Sequence, residues 1–308
     1  MRPDVAALMV AGALAAPTVA AQSAADDNLL VEGREMVRSF TESVARRVDG
    51  WFGDKPFEEG GKVSGNIGFK FLSRQYEGTD KNITFGARLD LPNVKDKAYL
   101  FFGRENEDEL VSDQPEEFRR RQLLLPEDPR RDQTLFAGVG FALRDLFDFR
   151  AGVRGGYRVY AQARYRKEWQ LGPSDAIALR ETLFWKPSDG FGSTTSLNYS
   201  HALSPSVALR WLNAATNSQD TDGWTWSTSA GVYKYFGKDH SVSLEAIVSG
   251  AAHAQETPSE YAVRAVWERP IYRDWTILEL TVGHFWPQGN EDDARRHWAF
   301  GLGVDILF

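Results

Sequence analysis

From Val63 to Phe308 the apolar residues recur with a period of two, in segments of about ten residues separated by Gly, Pro, Asn, Asp and Ser. Ile67, Phe69 and Phe71 share one face, as do Ile83, Phe85, Ala87 and Leu89; Leu135, Ala137, Val139, Phe141 and Leu143; Phe147, Phe149, Ala151 and Val153; and Tyr261, Val263, Ala265 and Trp267. The alternate positions carry Asn66, Lys70, Thr84, Arg88, Arg144, Arg150, Arg154 and Arg264. Segments begin near Val63, Lys81, Lys97, Gln133, Phe147, Val159, Asp175, Ser193, Ser206, Trp224, Ser241, Glu260, Trp275 and His297, which predicts about fourteen strands, each long enough to span a membrane when tilted. Short and longer connections alternate along the chain, as an up-and-down barrel requires. The tight Gly155-Gly156 turn breaks that alternation and leaves a twelve-stranded barrel as the alternative count.

Ahead of the strands the period is different. Leu29, Leu30, Met36, Val37, Phe40, Val44 and Val48 recur at three- and four-residue spacing and predict an amphipathic helix over residues 26–52. Earlier still, Arg2, an apolar run from Val5 to Ala16, Pro17 and Val19-Ala20-Ala21 have the layout of a secretory signal peptide over residues 1–21. No stretch approaches the roughly eighteen apolar residues of a spanning helix. The domain reading is therefore signal peptide, helix, and one barrel over residues 63–308.

A soluble β-sandwich would also alternate, with its apolar face inside and its charged face outside. Periodicity alone does not separate it from a barrel with an oily exterior. Trp169, Trp185, Trp211, Trp224, Trp267, Trp275, Trp286 and Trp298 fall near predicted strand ends, where membrane barrels place aromatic girdles. The last segment is sharper: Trp298, Phe300, Leu302, Val304, Ile306 and Phe308 form one apolar face, and His297, Ala299, Gly301, Gly303 and Asp305 the other. In this alternation and in its terminal Phe308 the chain resembles bacterial outer-membrane β-barrel proteins, including porins. The resemblance implies an outer-membrane location in a Gram-negative bacterium, contact with outer-membrane lipids, and reading of Phe308 by the barrel-assembly machinery. More loosely, Leu183-Phe184-Trp185, Ser188-Asp189-Gly190-Phe191-Gly192 and Arg273-Asp274-Trp275 with Leu278-Glu279-Leu280 are similar to a group of proteobacterial outer-membrane proteins, a likeness that implies a location and no activity.

Charge refines this picture by placing candidate lumen residues. Arg144, Arg150, Arg154, Arg164, Arg166, Arg180 and Arg210 are expected on one lumen wall, with Glu245, Glu268, Glu279 and Asp305 on the closing strands. Opposed walls would set up a transverse field across a wet pore. The expected function is passive diffusion of small polar or charged solutes. Two alternatives stay open: the charges pair and fill a non-conducting structural or surface-binding barrel, or the chain is a lipid hydrolase or acyltransferase. For the enzyme only Asn198, Ser200 and His201 cluster suitable side chains, and Ser200 and His201 should point to opposite faces. Met36, Phe40 and Val44 are the candidate plug of the periplasmic mouth; a handle packed under the barrel is the other reading. The segment from Glu105 to Asp132, with Glu116, Glu117, Arg119, Arg120, Arg121, Arg130 and Arg131 around Leu123-Leu124-Leu125, is read first as a solvated loop, with an inward constriction or a surface-binding element as the other possibilities.

The remaining composition excludes more than it adds. With 36 basic and 43 acidic residues intermixed and a net charge of -7, no basic stripe points to nucleic acid. The chain has no cysteine, and His201, His240, His253, His284 and His297 show no metal-ligand spacing, so no cofactor or metal is expected.

Overall fold

The structure is a computed structural model that describes residues 31–42, except 33 and 40, and residues 61–308, except 77, 92–97, 121, 126–131, 145, 220–222, 238–239, 253–258 and 289–295. The predicted signal peptide lies outside the described residues. Residues 31–42 are helical and are called α1.

Fourteen strands follow: β1 (Lys62–Arg74), β2 (Gly78–Asp90), β3 (Ala98–Asn106), β4 (Gln133–Leu143), β5 (Phe147–Arg154), β6 (Arg158–Gln170) and β7 (Asp175–Lys186), then β8 (Gly190–Ser204), β9 (Val207–Ser218), β10 (Thr225–Phe236), β11 (His240–Ala251), β12 (Glu260–Tyr272), β13 (Thr276–Pro287) and β14 (His297–Leu307). Each pairs with its sequence neighbour, and β1 pairs antiparallel with β14, closing the barrel. Closure leaves no edge strand, so every strand finds its backbone partners within the sheet. The count of fourteen holds, including the tight turn after β5, which Gly156 (φ 71°) and Tyr157 (φ 66°) make with left-handed backbone.

Exposure decides between sandwich and membrane barrel. Phe69, Ile83, Leu135, Val139, Phe149 and Leu302 are exposed, while Arg154 and Arg264 are each only 2% accessible. The oily face is outside and the charged face inside, the arrangement a bilayer imposes and water forbids. The longest connections, after β3, β11 and β13, all lie at one end and Phe308 at the other, which makes the Phe308 end periplasmic even though the connections after β1, β5 and β7 are also short.

One connection does not stay outside. After β3 the chain forms a short helix, α2 (Glu107–Ser112), a turn of 3-10 helix at Glu116–Phe118, and then Leu123 and Leu124, all folded within the barrel. The expectation of a solvated loop is therefore corrected. Leu124 is 1% accessible and packs with Phe118, Leu123, Leu212, Ile247, Ala262, Phe285 and Ala299. Burial of this apolar cluster outweighs the pull of the flanking charges toward water because those charges find partners on the wall. Room for it comes from the wall itself: a Cβ at position 301 would stand 2.7 Å from Leu124 Cδ2.

Candidate functional site

The lumen is organised by pairing between strand arginines and the inserted segment. Helix α2 starts where Asn106 Oδ1 accepts from the Asp108 and Glu109 amides at 3.1 and 3.2 Å, and its first turn holds Glu107, Asp108 and Glu109, all favourable at a helix N-terminus. It stops at Asp113, whose left-handed backbone (φ 55°) satisfies a helix carbonyl through Asp113 N to Glu109 O at 3.0 Å.

Four acidic residues of the segment then meet the wall. Glu107 pairs with both Arg154 and Arg158. Lys186 Nζ lies 2.7 Å from Asp108 Oδ1. Asp113 pairs with Arg164, accepts from Thr182 Oγ1 at 2.8 Å, and offers its carbonyl to Arg180 at 3.1 Å. Arg210 Nη1 lies 2.5 Å from Glu117 Oε1. Gln162 donates to the carbonyls of Leu110 and Val111 at 2.9 and 2.7 Å, and Arg264 donates to those of Gln122 and Glu117 at 2.6 and 3.2 Å, so wall side chains cap carbonyls the short segment cannot satisfy itself. Within the segment, burial disfavours the Arg119 guanidinium, but Glu105, Glu109, Glu116 and Asp113 outweigh it and hold its pKa above the ordinary value.

The sequence-derived candidates are placed as follows. Arg154, Arg164, Arg180 and Arg210 lie on the inner wall against the inserted segment. Arg150 is also inward, where its Nε contacts Tyr99 Oη at 2.8 Å and Asp148 at 3.0 Å. Tyr99 in turn donates to Asp148 at 2.7 Å and carries the Arg88 guanidinium 3.5 Å from its ring centroid. Arg166 follows the same inward alternation near the periplasmic end and is exposed to the lumen. Arg144 is corrected: it occupies the β4–β5 turn with φ 53° and is exposed, because β4 ends at Leu143 and the turn requires a left-handed residue there.

The acidic wall is neutralised locally. Glu245 pairs with Arg264 and accepts from Tyr233, and Glu279 lies 2.7 Å from Lys70 Nζ and accepts from Gln122 at 3.0 Å. Glu268 accepts from Ser241 at 3.3 Å. The basic wall thus faces the inserted carboxylates, and these glutamates engage Lys70, Arg264 and nearby hydroxyl and amide donors. Glu107, Asp108, Asp113, Gln162, Thr182 and Lys186 were not singled out from sequence; a capped acidic helix start beside a run of inward basic residues was the available signal.

Two polar cavities flank the segment. One of about 750 Å³ opens toward the periplasmic end and is lined by Glu117, Arg166, Arg180, Ser196, Asn198 and Arg210. The other, about 380 Å³, lies against β1–β4 between Asn66, Asn82, Thr84 and Glu105 on the wall and Glu116 and Arg119 on the segment.

Outside the lumen, His201 Nδ1 lies 2.8 Å from Asp175 Oδ1, which also accepts from Tyr199 at 2.6 Å. Ser200 faces the lumen beside Arg210, so the two neighbours diverge as strand geometry demands. At the periplasmic rim, Arg34 of α1 donates to Leu307 O at 2.9 Å and stacks over Trp275. Met36 is 72% exposed, and Phe40 and Val44 lie outside the described residues.

Fold and site together define a transmembrane β-barrel of the bacterial outer membrane, with a polar lumen partly occupied by its own third connection. Solved structures similar to it include porins. The chain matches the KdgM porin in complex with disordered oligogalacturonate (TM-score 0.40, 8% identity, 79% of this chain and 99% of that one). It also matches the anion-selective porin from Comamonas acidovorans (0.44, 10%, 80% and 99%) and Pseudomonas aeruginosa OpdQ (0.45, 8%, 80% and 98%). No family model and no curated protein matches the sequence.

Proposed function

We propose that this barrel is a passive diffusion channel for small polar or charged solutes, narrowed by the inserted segment. The observation that carries the reading is the segment's placement: it is bound along the arginine wall and leaves a polar cavity on either side. Of the arginines named from sequence, Arg150, Arg154, Arg164 and Arg210 are engaged by close partners, which leaves Arg166, with Arg180 beside it, to line the periplasmic vestibule together with Glu116 and Glu168. Within that mixed lining, loss of either arginine would shift the balance of ion preference toward cations. In place of two opposed walls, this reading has one mixed-charge vestibule beneath a largely neutralised segment.

A second reading has its own support. Leu123 and Leu124 meet Phe285, Leu212 and Ile247 across the middle of the lumen, and such an apolar contact favours a closed barrel. Single-channel recording distinguishes the two. The refolded barrel should show stable steps, replacement of residues 107–125 by a short Gly-Ser linker should raise the conductance about twofold or more, and Arg166→Ala should lower anion preference. Conductance that appears only after the replacement would establish the closed barrel; absence of conductance in both proteins would defeat the channel reading.

The enzyme alternative gains little from the site. His201 is engaged by Asp175 while Ser200 faces the other side of the wall.

A further inference from the structure

The outer wall is not uniformly oily. Glu181 lies on the outward face of β7, on the same side as the exposed Leu183. It is four residues from Trp185, and its cross-strand neighbour Tyr165 is four residues from Trp169. Since those tryptophans mark opposite ends of the same strand pair, the carboxylate stands midway through the apolar belt. Thr195 Oγ1, opposite it on β8, donates to it at 2.5 Å. Polar side chains continue along the same surface: Trp211 Nε1 donates to Thr228 Oγ1 at 3.0 Å, and Thr228 donates to Asn213 Oδ1 at 2.8 Å. Lys167 lies one outward position along β6 from Tyr165.

By contrast, the outward positions in the middle of β11 to β14 and β1 are apolar, among them Leu244, Val263, Val282, Leu302 and Phe69. A hydrogen-bonded carboxylate and carboxamide would be disfavoured against acyl chains, which offer no partner. Confinement of such groups to one sector therefore marks a sector that acyl chains do not cover.

We infer that the β6–β10 wall is the contact surface for a second copy of this chain. The chemistry is self-complementary: the same patch carries acceptors in Glu181 and Asn213 and donors in Lys167 and the Asn213 amide, so an identical surface supplies partners for each. Ala161, Ala163, Ala215 and Ala230 lie on the outward face among these groups and let two backbones approach closely, as packing within a membrane requires. Adjoining the patch is an apolar groove of about 860 Å³ between β3 and β8, lined on its outer side by Val139, Phe149, Ala151, Ala163 and Leu183, which can receive protruding side chains of the partner. The inference is independent of whether the lumen conducts.

Because the chain contains no cysteine, single-cysteine variants report without background. In proteoliposomes, Thr195→Cys and Asn213→Cys should give several-fold more dimer with a flexible bismaleimide than Leu244→Cys or Val282→Cys on the opposite wall, each variant first verified as folded by heat-modifiable migration. The wild type should sediment in mild detergent at a multiple of the monomer mass, and Glu181→Leu combined with Asn213→Leu should shift it to monomer. Equal cross-linking on both walls, a monomeric wild type, or an association undiminished in the double variant would overturn the inference.

Discussion

Arg264 shows how much a single lumen position does. Its guanidinium is 2% accessible, pairs with Glu245, and donates to the Gln122 and Glu117 carbonyls of the inserted segment. Removing it leaves Glu245, itself 3% accessible, without its cation and frees two carbonyls at once. Arg264→Ala is accordingly expected to cost about 3–5 kcal/mol of folding stability, measured by urea unfolding in lipid vesicles. Arg264→Met with Glu245→Leu should recover part of that loss, since a matched apolar pair leaves no unpaired charge. A single variant as stable as wild type would mean the pair contributes nothing. The inward direction of Arg264 is legible from the alternation around Val263 and Ala265, but its partners are not: Glu117 and Gln122 are 147 and 142 residues away in sequence.

At the scale of elements, α1 was open between two readings, while the inserted segment departs from its first one. The helix was expected either to plug the mouth or to pack beneath it. Its described contacts are to Leu307 and Trp275 at the rim, and Met36 points to solvent, which supports the handle. Deleting residues 27–49 should then leave conductance and open probability unchanged in planar bilayers; an increase in either would restore the plug. The segment after β3, by contrast, was read as solvated because charge runs ordinarily are. Its acidic residues instead answer inward basic residues of β5, β6, β7 and β9. Local sequence carries the Asn106 cap and the apolar Leu123-Leu124, yet it holds no information on whether a complementary wall stands opposite. Arg144 was misplaced for a simpler reason. The alternation was extended one residue past the end of β4, where the chain turns.

For the whole molecule, closure is the antiparallel pairing of β1 with β14, which Phe308 extends by one further pair. Phe308 N donates to Gly65 O at 3.0 Å, Gly65 N donates to Phe308 O at 2.9 Å, and the Phe308 ring lies where a side chain at position 65 would be, 2.5 Å from a Cβ built there. That the assembly machinery also reads Phe308 is an expectation from the resemblance, and a variant tests it. Phe308→Ala should slow appearance of the heat-modifiable form several-fold when that machinery is present and leave spontaneous refolding into vesicles unchanged. Equal slowing in both would assign Phe308 to packing on Gly65 alone.

The sequence by itself pointed to about fourteen strands, with limits to within a few residues, and to which strand residues turn inward, because a period of two is a local property of extended backbone and survives whatever the strands later meet. Apolar exteriority was a choice between two closures, settled by the terminal strand's pattern and then seen directly in exposure. Only the tertiary structure decided where the inserted segment goes, which carboxylate meets which arginine, and at what depth Glu181 stands on the outer wall. Those depend on closing a ring that brings together groups fifty or more residues apart, such as Asp113 with Arg164 at a separation of 51, and no local pattern encodes that proximity.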